Sequence, residues 1–300
     1  MNASARPPSG EAAQALLALT RQAETLWQAV VPLLPVFSVE MLPHIDSTNT
    51  ELMRRARAGE RQPVLLAAAE QSAGRGRHGK AWITQPGAAL TFSLGLPLQP
   101  RDWSGLSLAV GVSLAEQLGP EVRLKWPNDL WWQGRKLGGI LVETAVLGTE
   151  GGARRYTVVG VGINLETPEL PPNIATATAT AGTMAALPPV GVYALGVGEA
   201  GTSTTARLDA GQWLVRLLPA LVRDVLQFEQ AGFAAFAARF AARDALLGQP
   251  LHTSDGRVGT GAGVGADGSL LLDTPGGRVA VASGEVSVRV GKHHTEGTAC

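Results

Sequence analysis

The 300-residue sequence has little cysteine, few aromatic residues and no net charge. Its only cysteine is Cys300, the last residue, so neither a disulfide framework nor a cysteine metal site can form within one chain. Aromatic residues make up 5% of the chain, and 25 basic residues balance 25 acidic ones. A neutral chain does not have the overall positive charge that favours binding to nucleic acid or to a membrane surface.

Long apolar runs are also missing, because no segment approaches the roughly 18 residues that span a bilayer. Residues 1–14 contain one arginine and no apolar block behind it, which is unlike a secretory signal peptide. The scarcity of cysteine is typical of proteins in a reducing compartment. We therefore expect a cytoplasmic protein that does not insert into a membrane.

Apolar periodicity and turn residues divide the sequence into four parts. Residues 1–36 are predicted to form a partly disordered extension with one helix. Residues 37–247 show strand and helix patterns and are predicted to form the main domain, although 167–211 is rich in Ala, Thr, Gly and Pro. Residues 248–291 alternate short apolar runs with glycine turns, which is typical of a small β-barrel. Residues 292–300 are predicted to be a flexible tail.

The densest cluster of functional residue types is Gly74-Arg75-Gly76-Arg77-His78-Gly79-Lys80-Ala81-Trp82. Glycines let the backbone approach a ligand, and arginines carry planar charges that match carboxylates and phosphates. The glycine spacing matches a dinucleotide-binding fingerprint, but Pro86-Gly87 stands where the required helix would run. A phosphate P-loop is excluded because Ala81, not Ser or Thr, follows Lys80. The cluster favours a small anionic ligand, with a solvated basic loop as the alternative.

Three further segments place polar residues or glycines where strands are predicted. Lys125-Trp126-Pro127-Asn128-Asp129 carries charged and amide groups at a turn between two strands. In Arg135 to Glu143, a lysine stands at a strand entrance in front of two glycines. In Val159 to Leu165, glycines alternate within a strand, which usually marks the close approach of another group. Each segment alone is equally typical of an ordinary turn, hairpin edge or packed strand.

Together with Asp46-Ser47-Thr48-Asn49 and Glu70-Gln71, these segments follow the order and spacing of one family. From about Phe37 to Arg289 the chain resembles biotin protein ligases, in the form that lacks an N-terminal DNA-binding domain. The resemblance implies an α+β fold, with a mixed β-sheet catalytic domain packed with helices, of the class II synthetase-like, biotin–lipoate ligase type. A small C-terminal SH3-like β-barrel is implied to follow it.

The same resemblance implies an ATP-dependent ligase that converts biotin to biotinyl-5′-AMP. The biotin is then transferred to a lysine of the biotin carboxyl carrier protein or domain of acetyl-CoA carboxylase. ATP and Mg²⁺ are implied as a substrate complex and biotin as the second substrate, without a tightly bound metal ion. The oligomeric state is left open between a monomer and a homodimer.

Roles for individual residues also follow from the resemblance. Lys136, Arg75 and Arg77 are implied to be catalytic, and Asp129 is implied to orient a cation or the acceptor lysine. The residues implied to bind biotin are Ser47, Thr48, Asn49, Gln71, Gly74, Arg75, Gly76, Arg77, Lys136, Gly139 and Gly160. The residues implied to bind the nucleotide are Arg75, Trp82, Asn128, Lys136, Asn164 and Arg289.

Two other functions are compatible with parts of the sequence. A lipoate or octanoate ligase or transferase would have the same fold, although the segments beginning at Lys125 and Arg135 favour biotin. A nucleic-acid-binding regulator that uses the basic loop belongs to another class of protein. Zero net charge argues against that regulator, and the residues before Phe37 are too few for a helix-turn-helix module. We therefore expect neither DNA nor a membrane as a partner.

Overall fold

The computed structural model describes residues 10–83, 85–146, 154–169, 187–195, 207–283 and 288–291. Its helices are α1 (Gly10–Arg21), α2 (Ala23–Val30), α3 (Thr48–Arg57), α4 (Leu106–Leu118), α5 (Ala210–Ala231) and α6 (Ala237–Ala241). The first strands are β1 (Ser38–Leu42), β2 (Val64–Ala68), β3 (Ala89–Leu98), β4 (Arg123–Lys125), β5 (Asp129–Trp132), β6 (Arg135–Val146) and β7 (Arg155–Asn164). The last strands are β8 (Pro250–Thr253), β9 (Val258–Val264), β10 (Leu270–Thr274), β11 (Gly277–Val281) and β12 (Val288–Val290).

Some of the expectations from the sequence lie outside the described residues. These are the disorder expected at the start of the chain, the flexible tail 292–300 and most of the stretch 167–211. Among the described residues, no helix has both the length and the apolar character that a bilayer crossing requires.

Two sheets organise the described residues. The larger is a seven-stranded mixed sheet in the order β1-β2-β3-β7-β6-β5-β4, in which only β1 and β2 run parallel. The smaller is a five-stranded antiparallel sheet in the order β11-β10-β9-β8-β12. This confirms the expected α+β fold with a small C-terminal β module. The predicted boundaries of the four parts stay predictions.

The main core lies between the large sheet and the helices α4 and α5. Apolar residues of α4 are buried on nearly all sides, whereas α5 buries one face that includes Trp213, Leu217 and Phe228. The start of α5 is fixed by a capping box, in which Asp209 accepts a hydrogen bond from Gln212 N at 2.8 Å and Gln212 accepts one from Asp209 N at 2.9 Å. The sheet is therefore backed by a rigid helical layer.

The N-terminal region contains two helices where the sequence predicted one. The chain turns at Gln22, so α1 and α2 each lay their own apolar side chains against α5. Leu19, Leu26 and Val30 are buried in the main core as a result. Gly211 permits this packing, because a Cβ there would lie 2.2 Å from the Ala18 carbonyl oxygen.

Helix α3 packs on β3, β6 and β7 with a second, smaller apolar cluster. It begins at Thr48, because the hydroxyl of Ser47 accepts a hydrogen bond from Thr50 N at 3.4 Å and caps the helix. Near this N-terminus, glycines at 139, 160 and 162 leave the sheet without side chains. The candidate site occupies that bare surface.

Hydrogen bonds attach the C-terminal module to the large sheet. Trp126 Nε1 donates to the Gly268 carbonyl oxygen at 3.0 Å, and Trp126 is buried. Leu124 N donates to the Arg243 carbonyl oxygen at 2.8 Å, and Ala245 N donates to the Leu124 carbonyl oxygen at 2.9 Å, which holds the connecting chain beside β4. These contacts bring β12 to the edge of the candidate site.

Candidate active site

A cavity of about 900 Å³ opens beside the N-terminus of α3 and reaches β12 of the C-terminal module. Among the described residues, its lining contains three carboxylates and seven lysines and arginines, which are Arg75, Arg77, Lys80, Arg123, Lys125, Lys136 and Arg289. Small-molecule sites commonly have volumes of about 300–1,000 Å³, so this cavity has room for a large ligand or for two adjacent ones. Its excess of positive charge, on a chain of zero net charge, favours an anion.

One wall of the cavity is a hydrogen-bonded network of polar groups, in which the buried, neutral side chains of Thr48, Asn49 and Ser93 contact the half-buried Gln71 and Glu143. Ser93 Oγ donates a hydrogen bond over 2.7 Å to either Thr48 Oγ1 or Asn49 Oδ1. Gln71 Oε1 accepts from Thr48 N at 2.7 Å, and Asn49 Nδ2 donates to Glu143 Oε2 at 2.9 Å. Thr48 and Asn49 are each 3% exposed. Because its central side chains are buried and all of its members are bonded to one another, the wall is fixed before a ligand arrives.

Two strand glycines permit other side chains to approach the sheet at the cavity. A Cβ at Gly160 would lie 2.1 Å from Asn49 Oδ1, and a Cβ at Gly162 would lie 2.4 Å from Trp82 Cε2. Real Cβ atoms do not approach other atoms so closely, so both positions require glycine in this arrangement. The half-buried indole of Trp82 keeps its Nε1 without a hydrogen-bond partner among the described residues. The alternating glycines therefore mark close approach, as the sequence indicated.

The glycine-arginine stretch forms a small hairpin, not the start of a helix. Gly76 N donates to the Lys80 carbonyl oxygen at 2.7 Å, and Trp82 N donates to the Gly74 carbonyl oxygen at 2.9 Å. The tip, Arg77–Gly79, is a 3-10 turn in which His78 has a positive φ of 54°. The stretch is therefore not a dinucleotide-binding fingerprint, which requires a helix at this point. The hairpin presents cations towards the cavity.

Arg77 joins the hairpin to the C-terminal module. Its guanidinium group donates to the carbonyl oxygen of Ser283, which follows β11. Burial lowers the pKa of Arg77, and the negative charge of Asp129 opposes this shift. An arginine stays protonated despite such a shift, so Arg77 remains a cation at the junction of the two sheets.

The strand pair β5–β6 contributes a second group of charges. Lys136 Nζ lies 2.7 Å from Asp129 Oδ1, with 41% of the lysine side chain and 20% of the aspartate side chain exposed. The same Nζ lies 5.8 Å from the centre of the Trp82 ring. Asn128 Nδ2 donates to the Ile140 carbonyl oxygen at 2.8 Å and holds the turn before β5 against β6. The ammonium group is therefore oriented by a carboxylate and borders the indole.

The cavity brings together all of the predicted site residues except two. Those that line it are Ser47, Thr48, Asn49, Gln71, Arg75, Gly76, Arg77, Trp82, Asn128, Asp129, Lys136, Gly139, Gly160 and Arg289. Gly74 is not in the lining, and a Cβ there would lie 2.5 Å from the Trp82 carbonyl oxygen, so it lets the ends of the hairpin meet. Asn164 is also outside the lining, since it is buried and its Nδ2 donates to the Val190 carbonyl oxygen at 3.3 Å. The ligand roles predicted for both stay predictions.

Five charged residues of the lining had no predicted role in the site, namely Lys80, Glu121, Arg123, Lys125 and Asp244. Lys125 places its Nζ 4.7 Å from the centre of the Trp131 ring, and burial lowers the pKa of this lysine although Asp129 opposes the shift. The sequence contained a signal for Lys125, because a lysine beside a tryptophan at the end of a strand is unusual. Asp244 keeps its Oδ2 away from solvent and without a hydrogen-bond partner among the described residues, and burial raises the pKa of its carboxyl group. Its surrounding sequence is that of an ordinary helix end.

The donor groups do not form a dedicated metal site in the described part of the chain. No group of three or more His, Cys, Asp or Glu residues there could hold a metal ion. A hard cation in such a cavity would have to arrive with its own oxygen ligands, as Mg²⁺ does on nucleotide phosphates.

Comparison with known proteins matches residues 41–164 to the Biotin/lipoate A/B protein ligase family. The chain is 34% identical over 262 residues to the bifunctional ligase/repressor BirA of Escherichia coli (strain K12), covering 84% of this chain and 74% of that protein. It is 34% identical over 259 residues to the biotin--[acetyl-CoA-carboxylase] ligase of Paracoccus denitrificans, covering 82% of this chain and 98% of the relative.

A solved structure agrees with these sequence matches. The biotin protein ligase from Aquifex aeolicus, in complex with biotin and ATP, superposes with a TM-score of 0.65 at 26% identity, covering 84% of this chain and 98% of that one. Because these relatives are 34% identical over most of their length and the solved structure has the same fold, the chain belongs to the biotin protein ligase family.

Proposed function

We propose that the chain is an ATP-dependent biotin protein ligase that forms biotinyl-5′-AMP and transfers biotin to a lysine of a biotin carboxyl carrier domain. One observation carries the proposal: cations from the hairpin, β4, β6 and β12 meet in one cavity beside the buried, neutral side chains of Thr48 and Asn49. A ligand that suits both surfaces has a neutral polar end and an anionic end. Biotin has a cyclic urea at one end and a carboxylate at the other.

The two surfaces divide the cavity between the substrates. Thr48, Asn49 and Gln71 supply hydrogen-bonding groups that suit the neutral ureido ring. Arg75, Arg77 and Lys136 supply positive charge for the carboxylate and the phosphates. Trp82 and Arg289 are assigned to the nucleotide, the first by packing near the adenine and the second by its charge. Mg²⁺ enters as part of the ATP substrate.

In the first step, a biotin carboxylate oxygen attacks the α-phosphorus of ATP. A bond forms between that oxygen and phosphorus, the bond from phosphorus to the bridging oxygen breaks, and pyrophosphate leaves with the electron pair. Two anions must meet for this reaction, so cations that neutralise their repulsion and align them supply most of the rate gain. Lys136 is assigned this role because its ammonium is already oriented by Asp129 at 2.7 Å.

In the second step, the amine of the acceptor lysine attacks the acyl carbon of the adenylate. A carbon–nitrogen bond forms, AMP leaves with the bridging oxygen, and the amine loses its proton. The acceptor lysine arrives as an ammonium ion at a cation-rich opening and must lose one proton to solvent before it attacks, so a carboxylate at the cavity wall is needed to offset the repulsion and orient the ammonium group. Asp129 is the carboxylate that we assign to this task, because it is 20% exposed and borders Lys136.

Adenylate formation tests the proposal directly. The purified protein is mixed with α-labelled ATP, Mg²⁺ and one acid at a time from biotin, lipoate and octanoate, and acyl-adenylate and pyrophosphate are measured. We expect turnover with biotin alone and its loss in Lys136→Ala. Equal turnover with lipoate would instead support the lipoate ligase of the same fold. Absence of any adenylate would contradict both.

The acceptor protein, the cellular compartment and the oligomeric state are part of the same proposal. The relatives named as biotin--[acetyl-CoA-carboxylase] ligases support the carrier domain of a carboxylase as the acceptor. A purified carrier domain is expected to gain the mass of one biotin at a single lysine. We propose a cytoplasmic enzyme, monomeric or homodimeric, that binds neither DNA nor membranes. A salt-sensitive shift of duplex DNA in a gel would contradict the absence of DNA binding.

A further inference from the structure

The strand that carries Lys136 contains a β-bulge. Along the β5–β6 pair, Leu130 is opposite Gly138, but the next residue, Trp131, is opposite Lys136. Leu137 is therefore an extra residue on β6 with no counterpart on β5. Side chains alternate between the two faces of a sheet, so one extra residue moves the side chains of all residues beyond it to the opposite face.

The bulge determines where Lys136 points. In a regular strand, residues 136 and 139 are three positions apart and project to opposite faces. Here Lys136 Nζ would lie 3.4 Å from a Cβ at Gly139, and it lies 2.7 Å from Asp129 Oδ1. The lysine thus shares the cavity face with both residues, while Leu137 is fully buried in the core. The bulge is what brings the ammonium group into the cavity.

A separate segment, residues 187–190, supports the backbone of the bulge, and we call it the strap. β7 pairs with β6 only as far as Ile163 opposite Gly138. Beyond that point, Val190 N donates to the Lys136 carbonyl oxygen at 2.9 Å, and Val190 is fully buried. The strap therefore takes the place of a neighbouring strand beside Lys136.

Two side chains hold the strap from its two sides. Arg135 donates from Nε to the Pro188 carbonyl oxygen at 3.0 Å and from Nη2 to the Pro189 carbonyl oxygen at 2.9 Å. Asn164 Nδ2 donates to the Val190 carbonyl oxygen at 3.3 Å. Neither Arg135 nor Asn164 belongs to the cavity lining. Their bonds serve the strap, and through it the Lys136 peptide.

We propose that Arg135 and Asn164 are positioning residues that clamp the strap and thereby hold the bulge that places the Lys136 ammonium at the reacting groups. The proposal rests on the proposed function, because it assigns Lys136 to adenylate formation. A strand without this support can shift its register by one residue, which would turn Lys136 towards the opposite face. A catalytic group that is displaced by about 1 Å loses about 100-fold in rate, so even partial loosening is measurable.

A double-mutant cycle on the full chain tests whether Arg135 acts through Lys136. Single-turnover formation of biotinyl-AMP is measured for the wild type, Arg135→Gln, Lys136→Ala and the double variant. Arg135→Lys retains the positive charge and one donor nitrogen, and Arg278→Gln removes an arginine that is paired with Asp273 on the C-terminal module. Arg135 is half-buried at the surface, so truncating its donors leaves the core intact.

We expect Arg135→Gln to lower the adenylation rate about tenfold with an unchanged Kd for biotin, and about twofold or less in the Lys136→Ala background. Arg135→Lys should recover part of the rate, and Arg278→Gln should equal the wild type. An equal loss in both backgrounds, or no loss in either, would overturn the positioning role. A wild type that forms no biotinyl-AMP would overturn the proposed function itself, which separates the two failures.

Discussion

The basic hairpin and the β5–β6 strand pair both face the cavity and both supply cations, but they are supported differently. In the hairpin, two backbone hydrogen bonds join the arms, and Arg75 and Lys80 are exposed. In the strand pair, Lys136 is bonded to Asp129, and its own backbone is supported by the sheet on one side and by residues 187–190 on the other.

This difference separates two tasks. A group that is fixed before the reaction stabilises charge that develops only in the transition state, without reorganisation at that moment. A hairpin with few supports is suited to closing over a ligand and retaining it. We therefore expect changes in the strand pair to lower kcat, and changes in the hairpin to weaken binding.

The largest effect is expected for Lys136→Ala. Removing one oriented charge from a reacting centre costs about 10²–10³-fold in kcat, which single-turnover formation of biotinyl-AMP measures. The melting temperature should change by about 2 °C or less, because a pair with this exposure contributes about 1 kcal/mol at most. A raised KM with an unchanged kcat would place Lys136 with the hairpin residues and would contradict the division of tasks between the two regions.

Arg77→Met should have the next largest effect, and on binding. Charge-assisted hydrogen bonds contribute about 1.5–3 kcal/mol, so the Kd for biotinyl-AMP should rise about 10- to 100-fold, as calorimetry or dissociation kinetics would measure. Arg75→Met is the matched control, since it removes a cavity cation but keeps the bond from Arg77 to the Ser283 carbonyl. We expect the weaker effect from Arg75→Met. A loss of kcat without weaker binding in both variants would contradict the division of tasks.

The features that could be predicted from the sequence are those that local chemistry determines. Ser47 caps α3 because a hydroxyl in that position satisfies an N–H group of the first turn, whatever the rest of the fold does. The glycines and arginines of residues 74–80 indicated a basic loop for an anionic ligand, although the hairpin form of that loop was not predicted. The alternating glycines at 160 and 162 also indicated close approach before the contacting side chains were known.

The features that escaped prediction depend on contacts between distant segments. The bulge at Leu137 is defined by register with β5, and its support comes from residues more than fifty positions later. Asp244 reaches the cavity because residues 243–245 run beside β4. The division of the N-terminal helix at Gln22 follows from packing on α5. Periodicity in a single sequence contains none of this information.

Two glycines of β7 test whether the two substrates bind to separate regions of the cavity. Gly160→Ala would displace Asn49 from the buried polar wall, whereas Gly162→Ala would displace the half-buried Trp82. We expect the first to raise the KM for biotin and the second the KM for ATP, each about tenfold, for an overpacking cost of about 1–3 kcal/mol. Gly160→Ala should also lower the melting temperature more, because the buried network cannot move aside. Identical KM profiles for the two variants would contradict separate substrate regions.

The smallest expected effect belongs to Lys125, a partly buried cation that has no ion pair among the described residues like the one between Lys136 and Asp129. Burial lowers the pKa of Lys125 below its ordinary value of 10.5, so the folded chain carries a cost for keeping this lysine charged at pH 7. Lys125→Met removes that cost, and we expect a melting temperature about 2 °C higher at pH 7 together with a several-fold higher KM for ATP.

The pH dependence of the gain in melting temperature shows whether Lys125→Met stabilises the fold by relieving a charge or by improving packing. Between the lowered pKa of folded Lys125 and 10.5, the unfolded chain binds more protons than the folded chain, so the stability of the wild type rises with pH in that window. Methionine does not titrate, so the advantage of Lys125→Met should shrink as the pH passes from the lowered pKa towards 10.5. Thermal melts of both proteins at pH 7 and pH 10 measure the difference. A constant advantage at both values would mean that improved packing against Trp131, and not a relieved charge, stabilises the variant.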